Sequence, residues 1–455
     1  MRIYKLLNPI INSFCISQAS TDFFGRISSF TEQFPAWLLL LGIFFLFATI
    51  QLSLSRYAFW LIPAFLLMCM FSGNKIAALD TGSTLMRWWL IFCLCISSSR
   101  RYIFPGSICF MLGTYWLFSI VSALWSPNFR GGIQVATLSF ALSWIAASGI
   151  SGCLMNLQSI KNVAQSYLAL SAIFIANGAI SLGDIRGSRF AGSMAESVSA
   201  TLFVITGGLL MPTLIWGFNT FGGWKKIMSL IGFSAVFGLC FLSGQRAGLF
   251  AGVISCIPLI LKIDSKILTR FFVSTLCISA VIACSIQLFP QQSDFIFGRY
   301  FRIDRNGTTA LSFNTTGRDK KWGAALEGIW DKPIIGHGVA ADKISGIGGF
   351  HNAYLQEWYN GGVLGLALYL GASIAALFKT FRLSRSPYLD DDSRQLSLLF
   401  FSWMTVLFLV SLFESKLANP SNIMPFTLVL IGVMTHRLEL HAKTLAGTLQ
   451  QTNYL

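Results

Sequence analysis

Charge is what this sequence has least of. Asp, Glu, Lys and Arg make up 11% of its 455 residues, while hydrophobic residues reach 54%. A soluble domain carries about 25% charged residues. A chain this poor in charge cannot cover a water-soluble particle of its size. The known nucleotide and protease signatures are missing too. No Gly-x-x-x-x-Gly-Lys-Ser/Thr phosphate loop, Gly-x-Ser-x-Gly elbow or His-Glu-x-x-His pair occurs, which disfavours a nucleotide-driven pump and a zinc protease. The polar stretch 289–360 holds no cysteine, so no disulfide framework or thiolate metal site is expected there. Eight of the ten cysteines (69, 93, 95, 109, 240, 256, 277 and 284) lie in apolar segments and behave as small hydrophobes. Residues 1–33 lack the compact apolar core of a cleaved signal peptide, and no internal repeat or low-complexity tract is evident.

What is present is a series of apolar runs of the length that crosses a bilayer. They fall at about 34–50, 57–71, 85–98, 103–125, 133–151, 163–182, 198–217, 227–243, 247–263, 271–288, 361–379, 398–413 and 422–436. The runs are continuous rather than alternating, which disfavours an outer-membrane barrel. The expected fold class is an all-α integral membrane protein with about 12 transmembrane helices and one large outer loop. The expected organisation is an N-terminal bundle (1–288), a loop (289–360), and C-terminal helices with a tail (361–455). Lys225-Lys226, Lys262, Lys266, Arg270, Lys379, Arg382, Arg385 and Arg394 cluster in short loops. The positive-inside rule assigns these to the cytoplasm. Residues 125–128, 186–190, 243–248 and 289–360 then face the other side. The net charge of +15 reads as inside loops and phosphate-bearing ligands, not nucleic acid.

Charged groups at membrane depth are costly, so each is a functional candidate. Arg246 stands between two spans, with small neighbours Gly244, Ala247 and Gly248. A guanidinium grips phosphate oxygens in a fork; snorkelling to the interface is the alternative. Arg318 precedes a helical stretch at about 320–330, and Arg186 and Arg189 share another outer loop. Arginines at several outer sites suit a diphosphate. His351 lies at a membrane boundary, in a segment whose Tyr354, Leu355 and Trp358 recur at helical spacing. An imidazole there can accept a proton from a hydroxyl at neutral pH. His337, between two glycines, reads as a turn residue, and His436 and His441 as solvated. Glu414, at the outer end of the penultimate span, is placed to pair with an arginine or orient the histidine.

These residues resemble a family. His351-Asn352, nine residues, Gly362, two residues and Gly365 resemble the His-(Asn/Ser/Gln)-x9-Gly-x-x-Gly signature of the O-antigen ligase and polymerase superfamily. Ser243-Gly244-Gln245-Arg246 is similar to its Ser-Arg-Gly-type element, with Gln245 where Ser is common. Thr316-Gly317-Arg318 with Trp322, and Pro333 followed by Gly336-x-Gly338, resemble its loop pattern. Trp125-Ser126-Pro127 and Arg189-Phe190-Ala191-Gly192 resemble its earlier elements. The resemblance runs from about 120 to 415.

It implies a bacterial inner-membrane, GT-C-like glycosyltransferase with its active site facing the periplasm, using neither metal nor other cofactor. The implied donor is a glycan on undecaprenyl diphosphate, and transfer inverts the anomeric centre. The acceptor would be lipid A-core for a ligase, or another lipid-linked glycan for an O-antigen or exopolysaccharide polymerase. The complete His-Gly element tilts towards ligase. By the resemblance His351 is the catalytic histidine. Arg246, Arg318, Arg189 and Asn352 bind diphosphate or substrate. Gly362, Gly365, Trp322 and Glu414 support the site. A transporter for lipid-linked sugars, surrounded by membrane lipids in the same way, is the reading from another class. The long asymmetric loop argues against it, since transporters favour paired broken helices.

Overall fold

In hydrocarbon a backbone must satisfy its own hydrogen bonds, and a charge-poor, apolar chain has helix as its one open-ended way to do so. The computed structural model describes residues 36–55, 57–70, 77–100, 103–154, 156–180, 200–263, 318–345, 349–415 and 423–452, with isolated positions 269 and 273. Among them the regular structure is all helical. The chain divides into two units, 1–52 and 53–455. The first contributes α1 (Ala36–Ser53). The second contains α2 (Leu61–Met70), α3 (Ala77–Arg100), α4 (Ser107–Ser122), α5 (Phe129–Cys153, with a π-helical stretch Ala141–Ala146), α6 (Leu157–Ile180), α7 (Ala200–Thr220), α8 (Gly223–Leu242), α9 (Arg246–Ile260), α10 (Arg318–Asp331), α11 (Ala353–Ser384), α12 (Asp391–Ser411) and α13 (Ile423–Thr452).

Every expected span falls on one of these helices except 271–288, which lies outside the described residues apart from Val273. Seven described helices are long and apolar enough to cross a membrane: Ser107–Trp125, Phe129–Cys153, Thr201–Thr220, Gly223–Leu242, Ala353–Ser384, Asp391–Ser411 and Ile423–Gly447. The expected loop helix at 320–330 is α10, and the front of the loop lies outside the described residues.

The bundle interior around α7, α9 and α12 is set by small residues. Gly248 and Gly252 are four apart and face α7. A Cβ at Gly252 would come within 2.9 Å of the Gly208 Cα, and one at Gly248 within 2.8 Å of Val204. Small residues at that spacing let helices pack at backbone contact, which is how membrane helices associate without a hydrophobic driving force. Trp403 of α12 closes the third side. Its indole N–H reaches the Leu209 carbonyl at 3.1 Å and the Thr213 hydroxyl at 3.0 Å. A Cβ at Gly208 would also touch Val406 at 3.4 Å. The start of α9 and the end of α12 therefore share one end of the bundle.

α11 is two helices joined by a break at Gly362 (φ 63°, ψ −165°). A break leaves carbonyls orphaned before it and N–H groups orphaned after it. The loop segment 333–338 lies against the break and takes up both sets. His337 N donates to Tyr359 O (3.0 Å) and Gly338 N to Asn360 O (2.8 Å); Val363 N donates to Pro333 O (2.8 Å) and Leu364 N to Ile334 O (3.4 Å). A Cβ at Gly362 would collide with the Ile334 carbonyl, so this position needs glycine for both its φ and its space. A Cβ at Gly365 would meet Phe118 and Tyr115 of α4 at ordinary contact distance.

The same segment is clamped from the other side. Ser126 Oγ donates to Val339 O (2.7 Å), Val339 N donates to Ser122 Oγ (3.1 Å), and the Asn128 amide reaches Ala340 O (3.5 Å). The Trp125-Ser126-Pro127-Asn128 element is thus a clamp on the loop.

Candidate active site

His351 is held by its neighbours in the chain. Phe350 is fully buried in a small core with Ala325, Ile329, Ala341 and Tyr359. Its carbonyl accepts a hydrogen bond from the Trp322 indole at 2.8 Å. On the other side Asn352 caps α11, its side chain accepting from Leu355 N at 3.0 Å. Between these anchors His351 takes a left-handed backbone, φ +51°, a conformation that costs of order 1 kcal/mol for a non-glycine residue. It sits just ahead of the helix rather than within it. Its side chain is 43% exposed.

Glu414 lies just past α12, its N–H bonded to Val410 O at 2.9 Å. Its side chain is only 6% exposed. One carboxylate oxygen is 3.6 Å from His351 Nδ1 and the other 3.5 Å from Arg318 Nη2. A nearly buried carboxylate therefore bridges a histidine and an arginine, the three groups coming from three separate stretches of the chain. With Nδ1 turned to Glu414, Nε2 has no protein partner among the described residues.

Arg318 is the first residue of α10, followed closely by Lys320 and Lys321. Cations at a helix N-terminus oppose the macrodipole. The Glu414 carboxylate offsets that conflict, and what is left is a positive end. Arg246 likewise opens α9, after Gly244 at φ +69°, and is half-buried. Gln245 before it anchors to Thr201 Oγ1 at 3.1 Å. The histidine and both arginines thus stand at or beside helix N-termini, where backbone N–H groups and the dipole favour an anion. The structure brings Arg318, His351 and Glu414 together, with Asn352 and Trp322 positioning the histidine. It sets Arg246 on a separate helix at the Glu414 end of the bundle. Arg186 and Arg189 lie outside the described residues.

Other expected roles find places as well. His337 is structural: its Nε2 is 2.7 Å from Gly328 O and its ring stacks on Tyr359 at 4.4 Å. Sequence reasoning assigned no role to Glu357. It is buried, and the Tyr115 hydroxyl of α4 donates to its carboxylate. The available signal was that Glu357 is the one acidic residue between 353 and 384. Asp342 was also missed. It accepts from the Asn360 amide at 2.7 Å, and burial pushes its carboxyl above the ordinary range, partly offset by that hydrogen bond. Among the described residues no group of three or more His, Cys, Asp or Glu is placed to hold a metal ion.

A family model described as O-antigen ligase matches residues 231–370. The match covers Arg246, Arg318, His351, Gly362 and Gly365 and ends well before Glu414. No curated protein matches the chain. Over residues 231–370 the chain is thus similar to the O-antigen ligase family, in line with the superfamily that its motifs resemble.

Proposed function

We propose that the protein is a glycosyltransferase that moves a glycan from undecaprenyl diphosphate onto the hydroxyl of an acceptor sugar, at the periplasmic face of a bacterial inner membrane. The observation that carries this reading is the Glu414 carboxylate set between His351 and Arg318. Glu414 faces Nδ1 and so favours the tautomer with its proton there. Nε2 is then the basic nitrogen, and the imidazolium formed during reaction has a counter-charge waiting. The acceptor oxygen attacks the anomeric carbon, and its proton passes to His351 Nε2. The bond between that carbon and the phosphate oxygen breaks, the electron pair leaving with the lipid diphosphate. Displacement in line inverts the anomeric centre. Arg318 and Arg246 meet the charge that grows on the diphosphate. In this mechanism the chain's own side chains supply the base and the countercharge, without metal or nucleotide.

The ligase reading, with lipid A-core as acceptor, is supported by the complete His-Gly element and by the description of the matching family. The test is reconstitution of the full chain with a lipid-linked glycan and two acceptors offered separately, lipid A-core and a second lipid-linked unit. Extension of lipid A-core is expected. Extension of only the lipid-linked unit makes the protein a polymerase. No transfer to either acceptor overturns the enzyme reading.

A further inference from the structure

α10 has three faces, one more than a loop helix packed against a protein needs. At 100° per residue, Trp322, Ala325 and Ile329 share the face turned to the Phe350 core. Lys320, Glu327 and Asp331 share a charged face. Between the two lies a stripe with Leu326 and Trp330, both exposed, the indole to 69%. The stripe continues past the helix end into Ile334 and Ile335, also exposed. An apolar stripe next to a charged face is the pattern of a helix lying in a lipid interface.

What covers this ridge is indicated by what it adjoins. Ile334 O accepts from Leu364 N, and Pro333 O from Val363 N. Val363 and Leu364 open the long apolar half of α11 and are themselves exposed, each to 47%. The exposed apolar surface of that span therefore runs, across a hydrogen-bonded seam, into Ile334, Ile335 and Trp330. Tryptophan is favoured at the headgroup level, and Lys332 beside the ridge can reach lipid phosphates.

We propose that Leu326, Trp330, Ile334 and Ile335 form a membrane seat that lies in the phospholipid leaflet on the His351 side and makes α10 an interfacial helix. The seat holds the Arg318 end of α10 at the membrane surface instead of in bulk water.

Single-cysteine additions at Trp330→Cys and Ile334→Cys, labelled with bimane in the full chain, test this in phosphatidylethanolamine–phosphatidylglycerol vesicles. Phe378→Cys on the apolar half of α11 and Glu327→Cys on the charged face serve as references, and the unsubstituted protein supplies the background. Brominated phosphatidylcholine is expected to reduce emission at 330 and 334 about twofold, as at 378, consistent with burial of about 5–10 Å into the interface. Aqueous iodide is expected to quench 327 and spare 330 and 334. Iodide quenching at 330 and 334 without bromolipid quenching overturns the proposal. Protection from both quenchers overturns it too, because a protein surface would then cover the ridge.

Discussion

Two carboxylates in this protein each sit between a histidine and a longer cation. Glu414 lies 3.6 Å from His351 and 3.5 Å from Arg318. Glu439 lies 3.8 Å from His436 and 2.9 Å from Lys379. The ingredients match, but the constructions differ. His436 and Glu439 are three residues apart on α13, and Lys379 reaches across from α11 to close a short ion pair. Glu439 is a strut between two helices. Glu414 draws its partners from α10 and from the start of α11 and makes a close contact with neither. It is nearly buried, while His351 is 43% exposed. At about 1.5 Å per residue, Lys379 is roughly 25 Å along α11 from Gly362, so the two constructions stand at opposite ends of one helix. The closed arrangement suits a structural tie. The open one leaves a histidine nitrogen and a guanidinium available to something else.

The sharpest way to break this comparison is to remove each histidine. His351→Ala is expected to lower transfer about 10³-fold, within the range of general-base contributions, in a protein that still folds and inserts. His436→Ala is expected to leave transfer within about twofold, as befits one arm of a structural pair worth under about 1 kcal/mol. Rates from the reconstituted assay, beside size-exclusion profiles, check both. Equal losses from the two variants would end the distinction.

The arginines come next. Arg246→Lys and Arg318→Lys keep the charge and lose the fork. Loss of one charge-assisted hydrogen bond, about 1.5–3 kcal/mol, predicts roughly 10- to 100-fold lower kcat/KM for each. Lys379→Arg, the control at the Glu439 end, is expected to change nothing measurable. Wild-type turnover by Arg246→Lys would mark that residue as a snorkelling interfacial cation.

Much of the fold was legible because hydropathy in a membrane chain is nearly a direct readout of helices. The runs at 198–217 and 398–413 lie on α7 and α12, the first displaced by two or three residues and the second beginning seven residues earlier than expected. His351 stood out through its position at a polar–apolar boundary and its spacing to Gly362 and Gly365. What one chain's spacing cannot carry is long-range pairing. Glu414 was a candidate partner, but only folding shows that the starts of α10 and α11 and the end of α12 come within reach of one carboxylate. The motif marks Gly362 only as a supporting residue. Its positive φ, and the splint that 333–338 lays across the broken helix, depend on hydrogen bonds between segments some 25 residues apart. Glu357 was passed over because its partner, Tyr115, is 242 residues away.

The smallest effect is expected from the carboxylates themselves, and it sharpens the comparison most. Glu414→Gln keeps the shape and removes the charge. If Glu414 holds the His351 tautomer and stabilises the imidazolium, transfer falls by roughly tenfold, about 1.4 kcal/mol, and the loss lies in kcat. KM for the donor should stay level or fall, because Arg318 is released from its partner and left free for phosphate. Glu439→Gln should leave both constants unchanged and lower thermal stability by under about 1 kcal/mol, the scale of a partly exposed pair. A kcat/KM split measured on both variants separates the roles. If Glu414→Gln loses only stability, or raises KM with kcat intact, then Glu414 is a strut like Glu439, and the opening between His351 and Arg318 has no part in positioning the base.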